Sequence, residues 1–308
     1  MPYRRGASYR RKRTPNRRYR KSSTKTRRTY RKPVRRMSRR AILNATSRKK
    51  RNTMLQYSNT NTNTGGPIAV SRNPYTLSGA TGTQVCIFMP TAMDLDTNTG
   101  GNTITQESVR TATTCYIKGF SETLRIQTSS QLPWFWRRIV FRAKNSNFYQ
   151  YATADSPLST VGPAYVEVTT QGMQRLWMNQ TINGANQSLA NIEGYMFKGA
   201  FTVDWDDRLT AKIDTRRIDL ISDRTTTIRS GNAAGSVKSV KHYIPYNHNL
   251  VYDDDETGKD MVSRYGSVND KQGNGDLLIY DIFQPGAGGT TADLLQVVGN
   301  ATLYWHEK

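Results

Sequence analysis

The chain has 308 residues, of which 36% are hydrophobic, and a formal net charge of +22. Its apolar runs are too short to span a bilayer and none follows the opening charges, so we expect neither a membrane segment nor a secretory signal. The charge is segregated: residues 1–51 hold 23 Lys and Arg and no acid, whereas residues 52–308 hold 22 basic and 23 acidic side chains.

The N-terminal segment is predicted to be a disordered basic arm. Its charges repel one another, and its apolar content is too low to offset the entropy lost on ordering. Tyr3, Tyr9, Tyr19 and Tyr30 are interleaved with the charges. Arginine suits phosphate and tyrosine stacks on unpaired bases, so the arm favours nucleic acid over a membrane surface, which needs an apolar helical face. The alternative is a solvated tail that has no function or one that serves only as a translocation signal.

The arm residues predicted to bind nucleic acid are its cationic clusters and two tyrosines. They are Arg4, Arg5, Arg10, Arg11, Lys12, Arg13, Arg17, Arg18, Arg20, Lys21, Arg27, Arg28, Arg31, Lys32, Arg35, Arg36, Arg39, Arg40, Tyr19, Tyr30, Arg48, Lys49, Lys50 and Arg51. Two of the clusters also fit nuclear import signals, because both uses require exposed, flexible cations. Those import residues are Arg10, Arg11, Lys12, Arg13, Arg48, Lys49, Lys50 and Arg51.

Beyond a polar stretch at residues 59–67, which predicts the border of the arm, the pattern is β-rich. Strands are predicted at residues 83–89, 111–127, 135–143, 164–169, 195–203, 209–220, 225–228, 237–244, 277–283 and 301–305. A short helix is predicted only at residues 170–180, where Met173, Leu176 and Trp177 have helical spacing. Regular crossover helices are absent from the pattern. We therefore expect an all-β fold: an arm at 1–58 and a single antiparallel jelly-roll sandwich with long loops at 59–308.

The segment 133–142 has two interpretations. In the structural one it is a buried strand whose arginines cap an edge of the sheet. In the functional one Trp136, Arg137 and Arg138 face the inside of an assembly and contact packaged nucleic acid.

Candidate catalytic and metal-binding groups are sparse. His242, His248 and His306 have no partners at metal-ligand spacing, and the acidic run at residues 253–256 lacks the EF-hand pattern. Asp204 and Asp206 would share one face of a strand, but nearby arginines explain them as ion pairs. Cys86 and Cys115 suit buried thiols better than a disulfide. The sequence predicts no enzyme, no metal site and no cofactor.

A basic, tyrosine-studded arm followed by one β-rich domain resembles the capsid proteins of small circular single-stranded DNA viruses. More narrowly, MPYRR at the start, PWFWRR at residues 133–138 and KHYIPYN at residues 241–247 resemble coat proteins of the genomoviruses, which are related to the geminiviruses. The resemblance implies a jelly-roll subunit, icosahedral self-assembly, DNA packaging and traffic to the host nucleus. The cysteine–histidine pattern proposed to bind zinc in geminivirus coat proteins is missing from this sequence.

The expected function is therefore that of a capsid protein, found in the virion and the host nucleus. Its expected partners are single-stranded DNA, host import receptors and other copies of itself, with no membrane. Sixty copies in a T=1 shell would bring about 1,400 arm cations, which matches a genome on the order of one to two thousand nucleotides. The alternative is a cellular nucleic-acid-binding module with a basic tail, which predicts a basic patch on the body.

Overall fold

The computed structural model describes residues 37–97, 100–159 and 161–308. The chain divides into two compact units, residues 1–42 and residues 43–308. In the first unit, Ser38 Oγ accepts a hydrogen bond from the Ala41 backbone N–H at 3.2 Å, at the start of a helix. This is the N-cap contact that serine commonly provides.

Two α-helices and 17 strands occur in these described ranges. The helices are α1 Arg39–Thr46 and α2 Asn186–Met196. The strands are β1 Arg48–Met54, β2 Gln56–Thr60, β3 Pro67–Ser71, β4 Tyr75–Ser78, β5 Gln84–Phe88, β6 Asp96–Thr97, β7 Gly100–Gly101, β8 Thr114–Thr128, β9 Trp134–Ala143, β10 Val166–Val168, β11 Gly172–Trp177, β12 Asp219–Ile228, β13 Val237–Val251, β14 Asp255–Thr257, β15 Asp260–Val262, β16 Asp276–Pro285 and β17 Leu294–Glu307.

Two large antiparallel sheets form the body of the second unit. The first sheet has the order β1-β17-β8-β13, with β4 also paired to β17, and the second has the order β12-β9-β16-β5. A smaller sheet of order β10-β11-β2-β3 contains the parallel pair β11–β2. The predicted all-β class with antiparallel sheets is confirmed.

The main core lies between the two large sheets. Phe120 of β8 and Leu303 of β17 meet Val140 of β9 and Ile279 of β16 there. Strand β8 alternates buried and exposed positions along most of its length, as expected for a strand with one face on a core. Strand β16 is buried at nearly every position, so its sheet must be covered on both faces.

The cover on the second sheet comes from the long segment between β9 and β12. Ile192 of α2 and Phe197 beyond it pack on Phe141 and Tyr280 in a second apolar cluster. On the first sheet, by contrast, the residues that alternate with the core positions stay open, and Arg125, Lys241 and Asn300 are exposed. The sandwich therefore has one covered side and one side open to solvent.

Three of the predicted elements are wrong. Residues 170–180 form strand β11 and not a helix, because Gly172–Trp177 pairs with β10 on one side and β2 on the other. Both faces of β11 are buried, so its apolar residues Met173, Leu176 and Trp177 do not alternate with polar ones and imitate helical spacing. Residues 195–203 and 209–220 were predicted as strands, but α2 ends at Met196 and β12 begins only at Asp219.

The predicted border of the arm also lies too far along the chain. Residues 48–54 form β1 in the first sheet, and the polar stretch at residues 59–67 is the hairpin loop between β2 and β3. Gly65 turns this loop with a φ of 70°, and a Cβ there would stand 3.0 Å from the backbone nitrogen of Ser78. Turn chemistry inside a hairpin was thus mistaken for a linker.

Four buried charges join the two large sheets. Arg138 of β9 contacts Glu122 of β8 at 2.6 Å and Asp281 of β16 at 2.6 Å, while Arg175 of β11 contacts Glu122 at 2.8 Å. Burial alone would raise the pKa of Glu122, but the charges and hydrogen bonds of the two arginines outweigh it and lower that pKa to about 2. We call this set the buried charge network.

We predict that Glu122→Gln lowers the free energy of unfolding by about 3–5 kcal/mol, because it leaves two buried guanidinium groups short of a carboxylate. Asp219→Asn is the matched control, because the Arg142–Asp219 pair is at the surface and Asp219 is 60% exposed; its cost should be under about 1 kcal/mol. Chemical denaturation followed by tryptophan fluorescence measures both. Equal losses in the two variants would contradict a special role for the network.

A second prediction concerns Asp276, a buried carboxyl at the start of β16. Its hydrogen-bond donors are neutral groups of Ser267 and Thr91, and burial raises its pKa from 3.8 to about 6. The folded state therefore prefers the protonated form, so the stability contributed is present below about pH 4 and is lost as the pH rises through 6.

We expect the wild-type protein to lose up to about 3 kcal/mol relative to Asp276→Asn between pH 4 and pH 7. The measurement is the difference between the two unfolding free energies across that range, which cancels the titration of the other carboxyl groups. A difference that does not change with pH would show that Asp276 is ionised throughout.

Candidate nucleic-acid interface

Most of the predicted arm residues lie outside the described residues. These are Arg4, Arg5, Arg10, Arg11, Lys12, Arg13, Arg17, Arg18, Arg20, Lys21, Arg27, Arg28, Arg31, Lys32, Arg35, Arg36, Tyr19 and Tyr30. Arg39 and Arg40 form the first turn of α1. The cluster at residues 48–51 begins strand β1 and belongs to the first sheet.

The alternation of β1 divides this last cluster. Lys49 and Arg51 are exposed, but Lys50 is only 3% exposed and its ammonium group lies 3.0 Å from the Glu307 carboxylate. The same group donates to the carbonyl oxygen of Val109. The prediction that Lys50 contacts nucleic acid and an import receptor is therefore corrected, because its charge is already neutralised inside the fold.

Trp136, Arg137 and Arg138 lie in a buried strand, as the structural interpretation predicts. The arginines do not cap an edge, because β9 is an inner strand of its sheet and both pair with carboxylates. Each of the three residues is at most 6% exposed. The indole N–H of Trp136 donates to Asp281 at 2.8 Å, and Arg138 belongs to the buried charge network. Arg137 points to the other side of β9, where it pairs with Asp223 at 2.6 Å. All three polar groups are satisfied internally, so the prediction that they contact nucleic acid is corrected.

The open side of the first sheet carries five cations, of which the sequence analysis predicted only Lys49 and Arg51 as nucleic-acid contacts. Lys49, Arg51, Arg125 and Lys241 are exposed and stand at positions that alternate with core residues. Lys118, at the bulge of β8, is half-buried and donates a hydrogen bond to Asn247 Oδ1 at 2.7 Å. We call the solvent side of β1, β17, β8 and β13 the basic face. Three of its four strands supply the five charges.

Aromatic rings are interleaved with these cations. Tyr116 and His306 lie with ring centroids 5.8 Å apart, Tyr304 lies between Arg51 and Gly119 in the cross-strand register, and Tyr243 is 53% exposed. Partial burial and the charges of neighbouring Lys49 and Lys118 lower the pKa of His306. The charged form of His306 is thus disfavoured by its partial burial first and by the two lysines second.

No carboxylate occupies an outward position on the four described strands of the basic face. Glu122 and Glu307, the acidic residues of those strands, both point inward and are buried. At the rim, the backbone carbonyl of Glu107 accepts a hydrogen bond from the backbone N–H of Arg51 at 3.1 Å. A body that sums to about zero charge therefore presents a cationic surface, because its acids are directed elsewhere.

A cleft of about 330 Å³ opens between β12 and β13, the outermost strands of the two large sheets. Trp136 and Arg138 form part of its lining, with His242 of β13 and Arg224 of β12. Burial and the charge of Arg138 lower the pKa of His242. A single imidazole beside an arginine already paired to carboxylates supplies neither a nucleophile nor an acid–base pair.

Other reactive groups are dispersed across the described ranges. No group of three or more His, Cys, Asp or Glu there is arranged to hold a metal ion. Cys86 and Cys115 are buried, unpaired thiols, and burial raises the pKa of both. None of the described helices combines the length and apolar character needed to cross a bilayer.

Comparison with known proteins adds no relative. No protein-family model matches the sequence, and a search of curated proteins finds no match. The basic face and the cationic arm are thus the features on which a function must be argued.

The split within the 48–51 cluster predicts opposite outcomes for neighbouring residues. Lys50→Gln should lower the unfolding free energy by about 2 kcal/mol, because it removes a charged hydrogen bond to Glu307, and should change the affinity for single-stranded DNA less than twofold. Arg51→Gln should leave stability within about 0.5 kcal/mol and weaken DNA binding. Denaturant titration and filter binding test the pair; a DNA-binding loss confined to Lys50→Gln would contradict the observed orientation.

Proposed function

We propose that the chain is the coat protein of a small single-stranded DNA virus, which assembles into a sixty-copy icosahedral shell and packages the genome with its cationic arm. The observation that carries the proposal is a charge-segregated chain whose folded part contains two large antiparallel sheets. Two further points support it, one topological and one electrostatic.

The strand pairing is nested like a folded hairpin. Leaving out β4, the eight strands of the two large sheets pair first with last, second with seventh, third with sixth and fourth with fifth: β1 with β17, β5 with β16, β8 with β13 and β9 with β12. Rolling such a hairpin yields two four-stranded antiparallel sheets, which is the jelly-roll arrangement used by many viral capsid domains.

The electrostatic point is the arm. Residues 1–36 alone carry 17 Lys and Arg without any acid. Cations at this density bind phosphate without sequence preference and release counterions, so that copies gather on one strand. The folded unit adds little net charge, so neighbouring copies meet without strong repulsion once the arms are neutralised. Weak contacts summed over many copies then act by avidity.

The choice of DNA, and of the host nucleus and virion as locations, follows from the resemblance to genomovirus coat proteins. The arm cluster at residues 10–13 remains a proposed import signal. For the cluster at residues 48–51 the extended conformation in β1 and the buried Lys50 disfavour capture by an import receptor from the folded chain.

One observation favours the second candidate, a cellular nucleic-acid-binding protein. That hypothesis predicts a basic patch on the folded body, and the basic face is such a patch. The two candidates differ in assembly: the coat protein forms closed shells, and the cellular module stays a monomer or a small complex.

The deciding experiment compares the full chain with a variant lacking residues 2–36, which spares β1. We expect shell-sized particles from the full chain in electron microscopy, with a high ratio of absorbance at 260 to 280 nm. The truncated chain should yield empty particles or none. A full chain that stays monomeric with single-stranded DNA present would overturn the proposal.

A further inference from the structure

We propose that the basic face is a second binding surface for single-stranded nucleic acid, separate from the arm, and that it is the side of the subunit turned toward the packaged strand. The inference deepens the proposed function and rests on it for the identity of the cargo. The arm binds the nucleic acid, and the basic face holds a stretch of it at the inner surface of the shell.

The first support is the chemistry of the face. Its charged groups are cations, its outward strand positions carry no acid, and tyrosines stand among the charges. Single-stranded nucleic acid offers a phosphate chain and unpaired bases, and proteins that bind it without sequence preference combine cations with stacking aromatic rings. An acidic protein partner would use the cations but would not require the rings.

The second support is the layout. In adjacent cross-strand rows, Tyr243 lies opposite Ser121 and Thr302, and Lys241 lies opposite Thr123 and Asn300. Successive outward rows on a strand are about 6.8 Å apart. The central positions are short polar side chains, so a chain of nucleotides can lie flat there while Tyr243 offers a ring to a base.

The third support is the asymmetry of the sandwich. The second sheet is covered on its outer side by α2 and its flanking loops, whose apolar cluster includes Leu189 and Ile192. The first sheet lacks such a cover over its described strands, and in the sequence its edge strand β1 follows α1 and the basic residues 1–36. Because each subunit has one basic, uncovered side, the shell of the proposed function would have a defined inner surface.

The test is the triple variant Arg51→Gln, Arg125→Gln and Lys241→Gln in the full chain. All three side chains are exposed. The matched control, Lys198→Gln, Lys212→Gln and Lys259→Gln, removes the same charge from exposed positions outside the first sheet. Thermal melting should show both variants folded, because exposed substitutions of this kind change stability by less than about 0.5 kcal/mol each.

The probe is a 30-nucleotide single-stranded DNA of mixed sequence. Its binding to each variant is measured across salt concentrations. We expect the slope of log affinity against log salt to fall by about 2 in the triple variant, since each phosphate contact on a single strand contributes about 0.7. The control should keep the slope of the wild-type chain. Equal slopes in the triple variant and the control would overturn the inference.

Photo-crosslinking locates the contact independently. DNA irradiated in complex with the full chain should attach to peptides containing Tyr243 or Tyr304, and not to peptides from residues 198–212. Crosslinks confined to the arm would overturn the inference.

The outcomes separate the two proposals. If truncation of residues 2–36 abolishes packaging while the triple variant packages as the control does, the coat-protein proposal stands and the basic face does not bind the strand. If the full chain forms no shells, the coat-protein proposal fails whatever the face does. If the triple variant loses assembly but keeps the wild-type salt slope, the face contacts another copy of the chain, and the inference is overturned.

Discussion

The buried charge network is the constraint on which the sandwich depends. Glu122 comes from the first sheet, Arg138 and Asp281 from the second, and Arg175 from β11, so one set of ion pairs fixes the position of three sheets. Buried ions are stable only when their partners are in place, which makes any slip of one sheet against another costly. A purely apolar core would tolerate such slips more readily.

The same inward placement of acids shapes the surface. Glu122 and Glu307 neutralise Arg138, Arg175 and Lys50 inside the fold, and the cations left on the first sheet then have no opposite charge on their own strands. The net charge of the domain therefore does not reveal the cationic surface that the inward orientation of its acidic side chains creates. A domain that carries almost no charge as a whole can still present a strongly cationic side to a polyanion.

Sequence patterns predicted the strands that have a clear apolar signal and missed those defined by tertiary pairing. Strands β5, β8, β9 and β16 were found because their runs are long and apolar, whereas β1 was hidden in a cationic cluster and β11 imitated a helix. The apolar residues around the arginines of PWFWRR favoured a buried strand, but the ion pairs could not be predicted, since the partners Asp281 and Asp223 are distant in sequence. The basic face was not predicted because the net charge of a segment does not say to which side of a sheet each charged side chain points. The alternation of residues along β8 and β13 does indicate those sides.

The unpaired edges of β12 and β13 affect how copies of the chain can associate. Exposed strand margins invite open-ended fibre growth. Here Pro245 withholds a backbone donor, a bulge interrupts β13 between Pro245 and His248, and Asp219, Asp223 and Arg224 place charges along β12. Ribbon-like polymerisation through these edges is thereby discouraged, as the closed shell proposed for this chain requires.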